Sequence, residues 1–153
     1  MGVGKSGDAI EIAKKALDQI SGKKSNSRNA KKAQRDWGVR KGEPIGASVT
    51  VRGEDAKSLL KKLFEAKGNT VNGRSIDKMG NLSFGILEHI DIPGIKYDPK
   101  IGILGLDVSV RLSRPGFGIK LRSKHKANVG YTHKITPAEA KAYLIKEFGV
   151  VVS

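Results

Sequence analysis

The stretch Ile45-Gly46-Ala47-Ser48-Val49-Thr50-Val51-Arg52-Gly53-Glu54 decides how the rest of the chain is read. Ile45, Ala47, Val49 and Val51 alternate with Gly46, Ser48, Thr50 and Arg52, which is the period of a strand with one buried face. Gly53 breaks that alternation, and from Glu54 the apolar spacing becomes helical. Ala56, Leu59, Leu60, Leu63 and Phe64 share one face of a helix over 54–67, and Gly68 closes it.

Working outward, Val39-Arg40 forms a second short strand, joined to the first by the turn Lys41-Gly42-Glu43-Pro44. Residues 25–29 are Asn- and Ser-rich and read as a loop or an irregular edge strand. Before them, Asp8 with Glu11 forms a capping pair, Ile10, Ala13, Leu17 and Ile20 follow at helical spacing, and Gly22 supplies the stop. On the other side, 69–81 reads as a loop from its Gly and Asn content. Strands are expected over 82–87 and over 104–112, where Leu104, Leu106, Val108, Val110 and Leu112 share one face. Between them lies a turn-rich connector with Pro93-Gly94 and Asp98-Pro99. Thr136-Pro137-Ala138-Glu139 is a capping box with Pro at the first helical position. The helix it opens turns Ala140, Tyr143, Leu144 and Phe148 inward and stops at Gly149. The expected architecture is α+β and two-layered: a mostly antiparallel sheet with helices packed on one face. At 153 residues the chain is expected to be a single domain over 1–153.

The charge is not spread evenly. The net charge is +14, from 29 Lys and Arg against 15 Asp and Glu. Residues 23–41 hold eight basic residues against the lone Asp36, and residues 111–134 hold seven with no carboxylate. The remainder balances at 14 against 14. Clustered Lys and Arg beside a neutral remainder suit a polyanion, because phosphate contacts and counterion release draw on local charge density.

Other chemistries find little support. The chain contains no cysteine, which excludes disulfides and thiolate metal sites. No apolar run approaches the roughly 20 residues needed to cross a bilayer, so no membrane partner is expected. Gly4-Lys5-Ser6 before a helix has only the tail of a phosphate-binding loop: the earlier Gly and the preceding strand are lacking. His89, His125 and His133 have no ligand spacing, and the last two sit among cations, so they read as satisfied or solvent-facing side chains. Glu88 and Asp91 flank a turn and read as surface charges. Trp37, inside the first basic window, reads first as a core or interface residue and second as a stacking surface for a base. No cofactor, metal or catalytic residue is called for. A nuclease would need a carboxylate or histidine constellation with a metal, and the basic windows contain none.

The segment Arg40-Lys41-Gly42-Glu43-Pro44-Ile45-Gly46-Ala47-Ser48-Val49-Thr50-Val51-Arg52-Gly53-Glu54 closely resembles the central segment of a ribosomal family. This is the universal large-subunit family "L-five", which binds 5S rRNA, in its archaeal and eukaryotic branch. Further matches follow in family order: Gly2-Val3-Gly4, Ser21-Gly22-Lys23-Lys24, Ala30-Lys31-Lys32, Asp77, Gly80-Asn81-Leu82-Ser83-Phe84-Gly85 and Asp91-Ile92-Pro93-Gly94-Ile95-Lys96-Tyr97-Asp98. Gly105-Leu106-Asp107-Val108, Arg114-Pro115-Gly116 and His133-Lys134-Ile135-Thr136 complete the series, so the resemblance covers essentially the whole chain.

The resemblance implies a non-enzymatic component of the large ribosomal subunit, cytoplasmic and ribosome-bound, that binds 5S rRNA and large-subunit rRNA in the central protuberance. It implies as partners the neighbouring 5S-binding protein "L-eighteen", the P-site tRNA, and the small-subunit head protein "S-thirteen". The family's 5S contacts map to Lys23, Thr50, Arg52 and Gly53. The basic windows add Lys24, Arg28, Lys31, Lys32, Arg122, Lys124 and Lys126 as rRNA contacts. Asn72, Gly73, Arg74, Ser75 and Lys78 are expected in a mobile tRNA-binding loop. Lys23 stands where the family commonly has Gln, Ser25 where it has Pro, and Arg28 where it has Thr. Relatives also carry an amino-terminal strand ending in Asn before the position of Met1, and the native protein is expected to begin upstream with such a segment. The alternative function is a free-standing RNA-binding protein or RNA chaperone using the same surface.

Overall fold

The structure is a computed structural model describing residues 1–153 except Lys5, Ser6, Lys96 and Ser153. The Lys5-Ser6 pair of the partial phosphate-loop motif therefore lies outside the described residues. The element order is α1 (Asp8–Ser21), β1 (Asn26–Asn29), β2 (Pro44–Ser48), α2 (Glu54–Ala66), β3 (Thr70–Val71), β4 (Leu82–Ile86), β5 (Leu106–Val110), α3 (Pro137–Phe148) and β6 (Val151–Val152), with short 3-10 turns between them. The chain divides into two compact units. The first comprises Met1–Ala66 and Gly85–Asp107, and the second Lys67–Phe84 and Val108–Ser153.

In the first unit, β1 and β2 form an antiparallel ladder running from Asn26 opposite Ser48 to Asn29 opposite Pro44, with an irregularity between Arg28 and Asn29. The 25–29 stretch is thus the irregular strand of the two readings. The other edge of β2 is occupied by the chain's first residues. Ala47 donates its N–H to Met1 O at 3.0 Å, and Val3 and Gly4 both donate to Ile45 O. Gly46 permits this approach, because a Cβ there would stand 2.8 Å from Met1 O. Helix α1 lies over this small sheet and buries Ala13 and Leu17 against Ala47, with Met1, Val3 and Val49 packed around them. The helix is entered through Gly7, not Asp8: Gly7 holds the cap position and no side chain caps the first turn. Asp8 lies one residue inside the helix, and Glu11 pairs instead with Lys14 at 3.1 Å.

Leu63 and Phe64 of α2 are buried, and Leu59 and Leu60 are half-buried. His89, only 1% exposed, is a satisfied histidine: its Nδ1 accepts the Leu104 N–H at 3.3 Å, and its own backbone N–H donates to Leu104 O. Ile86, Ile92, Ile101 and Leu106 are also buried in this unit.

In the second unit, β3 pairs in parallel with β6, with Thr70 opposite Val151 and Val71 opposite Val152. The capping box of α3 forms as expected: Thr136 Oγ1 accepts the Glu139 N–H, and the Glu139 carboxylate accepts the Thr136 N–H. Ala140 and Leu144 are buried, whereas Tyr143 is exposed and meets Phe148 edge-on. The pair β4–β5 forms the third two-stranded sheet. The α+β class holds, and antiparallel pairing dominates through the β1–β2 ladder and the bridges Gly2–Gly46, Gln34–Val39 and Ile76–Leu82. Among the described residues the strands form three separate two-stranded sheets rather than one, and β3–β6 is parallel.

Candidate nucleic-acid interface

In the first unit the antiparallel register puts two chain segments at one end of the β1–β2 ladder. Lys23 and Lys24 come just before Asn26, and Thr50 and Arg52 just after its partner Ser48. Strand β2 stops at Ser48, so Thr50 and Arg52 do not share a hydrogen-bonded strand face as the alternation suggested. The alternation survives in exposure, with Val49 and Val51 half-buried and Thr50 and Arg52 exposed. Gly53 takes a φ of +70°, which L side chains rarely adopt, and its carbonyl accepts the Ala56 and Lys57 N–H groups at the start of α2. Nothing lies within 4 Å of the position a Cβ would occupy there, so the backbone is open to a ligand.

Lys23 is drawn to this same corner. Its Nζ lies 2.7 Å from Asp55 Oδ2 in the first turn of α2, and both side chains are largely exposed. An exposed pair of this kind contributes about 0–1 kcal/mol, so a phosphate can replace the carboxylate at little cost. Ser25, buried, fixes the approach: its N–H donates to Asp18 Oδ1 at 2.6 Å and its hydroxyl to Lys14 O. A proline there would have no N–H to give. Arg28 is exposed and donates through Nε to Ser48 Oγ at 2.6 Å. The structure thus brings Lys23, Thr50, Arg52 and Gly53 together, with Lys24 and Arg28 beside them. Lys31 and Lys32 lie farther along, exposed on the 30–43 excursion between the two strands.

In the second unit the expected loop is more built than its composition suggested. Val71 and Ile76 are buried anchors, Val71 pairs with Val152, and Ile76 bridges Leu82. Asn72 Oδ1 accepts the Arg74 N–H and caps the 3-10 turn Gly73–Ser75. The Asp77 carboxylate accepts from the Asn81 N–H, the Asn81 side-chain amide and the Met79 N–H. Those contacts, the Asn81 N–H first, hold its carboxyl below the ordinary aspartate value. Arg74 and Lys78 are left exposed on a pinned loop rather than on a free arm, with Gly73 and Ser75 half-buried between the anchors.

The second basic window surrounds a concavity of about 490 Å³ whose walls include Met79, Asn81, Arg111, Lys120, Lys134 and Ile135. Arg122, Lys124 and Lys126 are exposed and do not line it. Arg122 Nε instead donates to His125 O at 2.6 Å. Arg111, Lys120 and Lys134 are the cations that sequence reasoning did not single out. They belong to the same window, but this irregular stretch has no period from which a shared face could be read. Arg114 is committed to Glu139 at 2.9 Å, and His133 Nε2 lies 2.8 Å from Pro115 O. The Glu139 carboxyl is held below its ordinary value, chiefly by the Thr136 N–H and then by the Arg114 charge. Among the described residues no group of His, Asp and Glu is placed to hold a metal ion, and no helix is long and apolar enough to cross a membrane.

Residues 44–150 match the model of the C-terminus of the ribosomal "L-five" protein family. The whole chain is 72% identical over 153 residues to the large ribosomal subunit protein uL5 of Nitrosopumilus maritimus, covering 88% of that protein. It is 67% identical over 152 residues to the uL5 of Cenarchaeum symbiosum, where 99% of this chain covers 90% of the relative. Against the uL5 of Pyrobaculum aerophilum the identity is 43% over 152 residues, 99% of this chain and 85% of the relative. The chain belongs to the uL5 family of large ribosomal subunit proteins, an RNA-binding and non-enzymatic family.

Proposed function

We propose that this protein holds 5S rRNA on the large ribosomal subunit, in the central protuberance, through the corner where the β1–β2 ladder meets α2. Its place is the ribosome in the cytoplasm. The observation that carries the 5S reading is the convergence of Lys23, Thr50, Arg52 and the open backbone of Gly53 at one exposed corner. RNA helices are recognised by shape, 2′-hydroxyls and phosphates, and this corner offers a cation, a hydroxyl and an unshielded backbone. The exposed Arg74 and Lys78 of the pinned loop are the residues directed at the P-site tRNA. Large-subunit rRNA and the proteins "L-eighteen" and "S-thirteen" are the remaining neighbours in this reading.

Arg52→Ala is expected to weaken 5S rRNA binding by about 1–3 kcal/mol, the size of a charge-assisted contact, with the circular dichroism unchanged. Arg28→Ala is expected to cost less, because its Nε is already engaged by Ser48 and other cations stand beside it. Equal losses from the two substitutions would remove Arg52 as a specific contact. Co-sedimentation with large subunits through a mild salt wash tests the wider reading. A protein released at once while still binding free RNA would be an RNA chaperone instead.

The loop is tested by substitution, since a deletion would also remove the buried Ile76. Arg74→Ala with Lys78→Ala is expected to leave 5S rRNA affinity unchanged and to weaken tRNA retention in the P site by about 1 kcal/mol. Lost 5S affinity with unchanged tRNA retention would place the loop on the wrong partner.

A further inference from the structure

The exposed Trp37 has no role in the corner described above. Residues 30–43 leave the β1–β2 ladder as a second, outward hairpin. Ala30 donates its N–H to Glu43 O at 2.8 Å and accepts from the Gly42 N–H at 2.9 Å, which closes the base. Farther out, Gln34 and Val39 exchange both backbone hydrogen bonds, at 2.8 and 3.0 Å. The tip is the 3-10 turn Arg35–Trp37, ended by Gly38, whose N–H returns to Arg35 O. Ala30 is buried at the base, and every residue from 31 to 38 is exposed. Trp37, the only tryptophan of the chain, is 79% exposed at this tip. The core placement that its size suggested is not adopted.

The tip carries a distinct charge. Lys31, Lys32, Arg35, Arg40 and Lys41 surround the indole in sequence, and the only carboxylate among them, Asp36, accepts from Gln34 Nε2 at 3.4 Å. A protein partner that buried this indole would also have to desolvate those cations, and interface cores are depleted of lysine for that reason. A nucleic acid needs both features at once: a free aromatic face for a base and cations for the phosphates on either side.

We propose that Trp37 is a stacking platform for an unpaired nucleobase of ribosomal RNA, held out on the 30–43 hairpin. The proposal rests on the rRNA-binding reading and adds to it a base contact away from the Arg52 corner. The backbone bonds between Gln34 and Val39 fix the turn that carries the ring before RNA arrives, so little ordering of the backbone is needed on binding.

With one tryptophan in the chain, indole emission reports on this position alone. The full-length protein is titrated with 5S rRNA and, separately, with protein-free large-subunit rRNA, while filter retention measures binding independently. The expected result is quenching that saturates with retention for one of the two RNAs. Trp37→Phe should bind that RNA within about threefold of the native protein, and Trp37→Ala about ten- to a hundredfold more weakly. The salt slope of Trp37→Ala should match the native one, because stacking releases no counterions. Retention of both RNAs with unchanged emission, or native affinity in Trp37→Ala, would overturn the stacking proposal and leave the rRNA-binding reading in place. Quenching by large-subunit proteins and not by RNA would overturn it in favour of a protein contact. Failure of the native protein to retain either RNA would remove the underlying reading together with the proposal.

Discussion

Raising monovalent salt from about 0.1 to about 1 M is expected to weaken 5S rRNA binding by about 10⁴- to 10⁶-fold. The figure follows from the charge map. If the two basic windows make about six to eight phosphate contacts, and each contributes about 0.7 to the slope, log affinity falls against log salt with a slope near −4 to −6. Lys24, Lys31, Lys32, Arg35, Arg40 and Lys41 are exposed in the first window, and Arg111, Lys120, Arg122, Lys124, Lys126 and Lys134 in the second. Neutralising Lys31, Lys32 and Arg35 together should lower the slope by about 2, since three contacts are removed. A native slope near −1 would mean that one window at most engages the RNA. The remainder of the chain balances 14 basic against 14 acidic residues, so apart from single contacts such as Arg52 the steep part of the slope comes from the two windows.

The helices are legible because their signals are local. The Thr136–Glu139 capping box and the apolar spacing of Leu59, Leu60, Leu63 and Phe64 need only a few neighbouring residues to act. The start of α1 is displaced by one residue from the expected cap because Asp8 and Glu11 have capping chemistry, yet Gly7 takes the cap with a φ of 102°. Strand ends are less legible, since a ladder stops where its partner stops. Val49 to Arg52 keep the alternation of a strand, but the partner leaves at Asn26, and Ser25 is drawn to α1 by Lys14 and Asp18. The 69–81 segment reads as a loop from its Gly and Asn content. Its isolated apolar residues, Val71 and Ile76, are too far apart to show a period, yet each finds a burial site.

Of the candidate site, residue identity is legible and convergence is not. Lys23 and Asp55 are 32 positions apart in sequence, and only the fold brings them to 2.7 Å. The resemblance supplies Lys23, Thr50, Arg52 and Gly53 as a set, and the register of β1 against β2 gives that set a physical basis. Trp37 shows the opposite limit. Its size argues for burial in any composition-based reading, and only the closed hairpin beneath it makes an exposed indole intelligible.

Phe64→Ala is expected to destabilise the protein by about 3–5 kcal/mol, the cost of deleting a fully buried ring and leaving a cavity. The side chain is 1% exposed on α2, beside buried Leu63. Since a protein of this size is stable by only about 5–15 kcal/mol, the loss removes a large share of the total. Phe64→Leu keeps most of the buried volume and should cost less than half as much, and Leu60→Ala, at a half-buried site, should also cost less. Urea unfolding followed by far-ultraviolet circular dichroism measures all three. The consequence for RNA binding follows from position. Helix α2 follows directly on Gly53 and supplies Asp55, the partner that draws Lys23 to the corner, so α2 must be seated for Lys23 and Arg52 to act together. Apparent 5S rRNA affinity in Phe64→Ala should therefore fall only as the folded population falls, recovering at temperatures where the variant is fully folded. A loss below about 1.5 kcal/mol would show that α2 is not anchored through Phe64. Affinity that stays low while the variant is fully folded would show that Phe64 shapes the corner directly rather than through the seating of its helix.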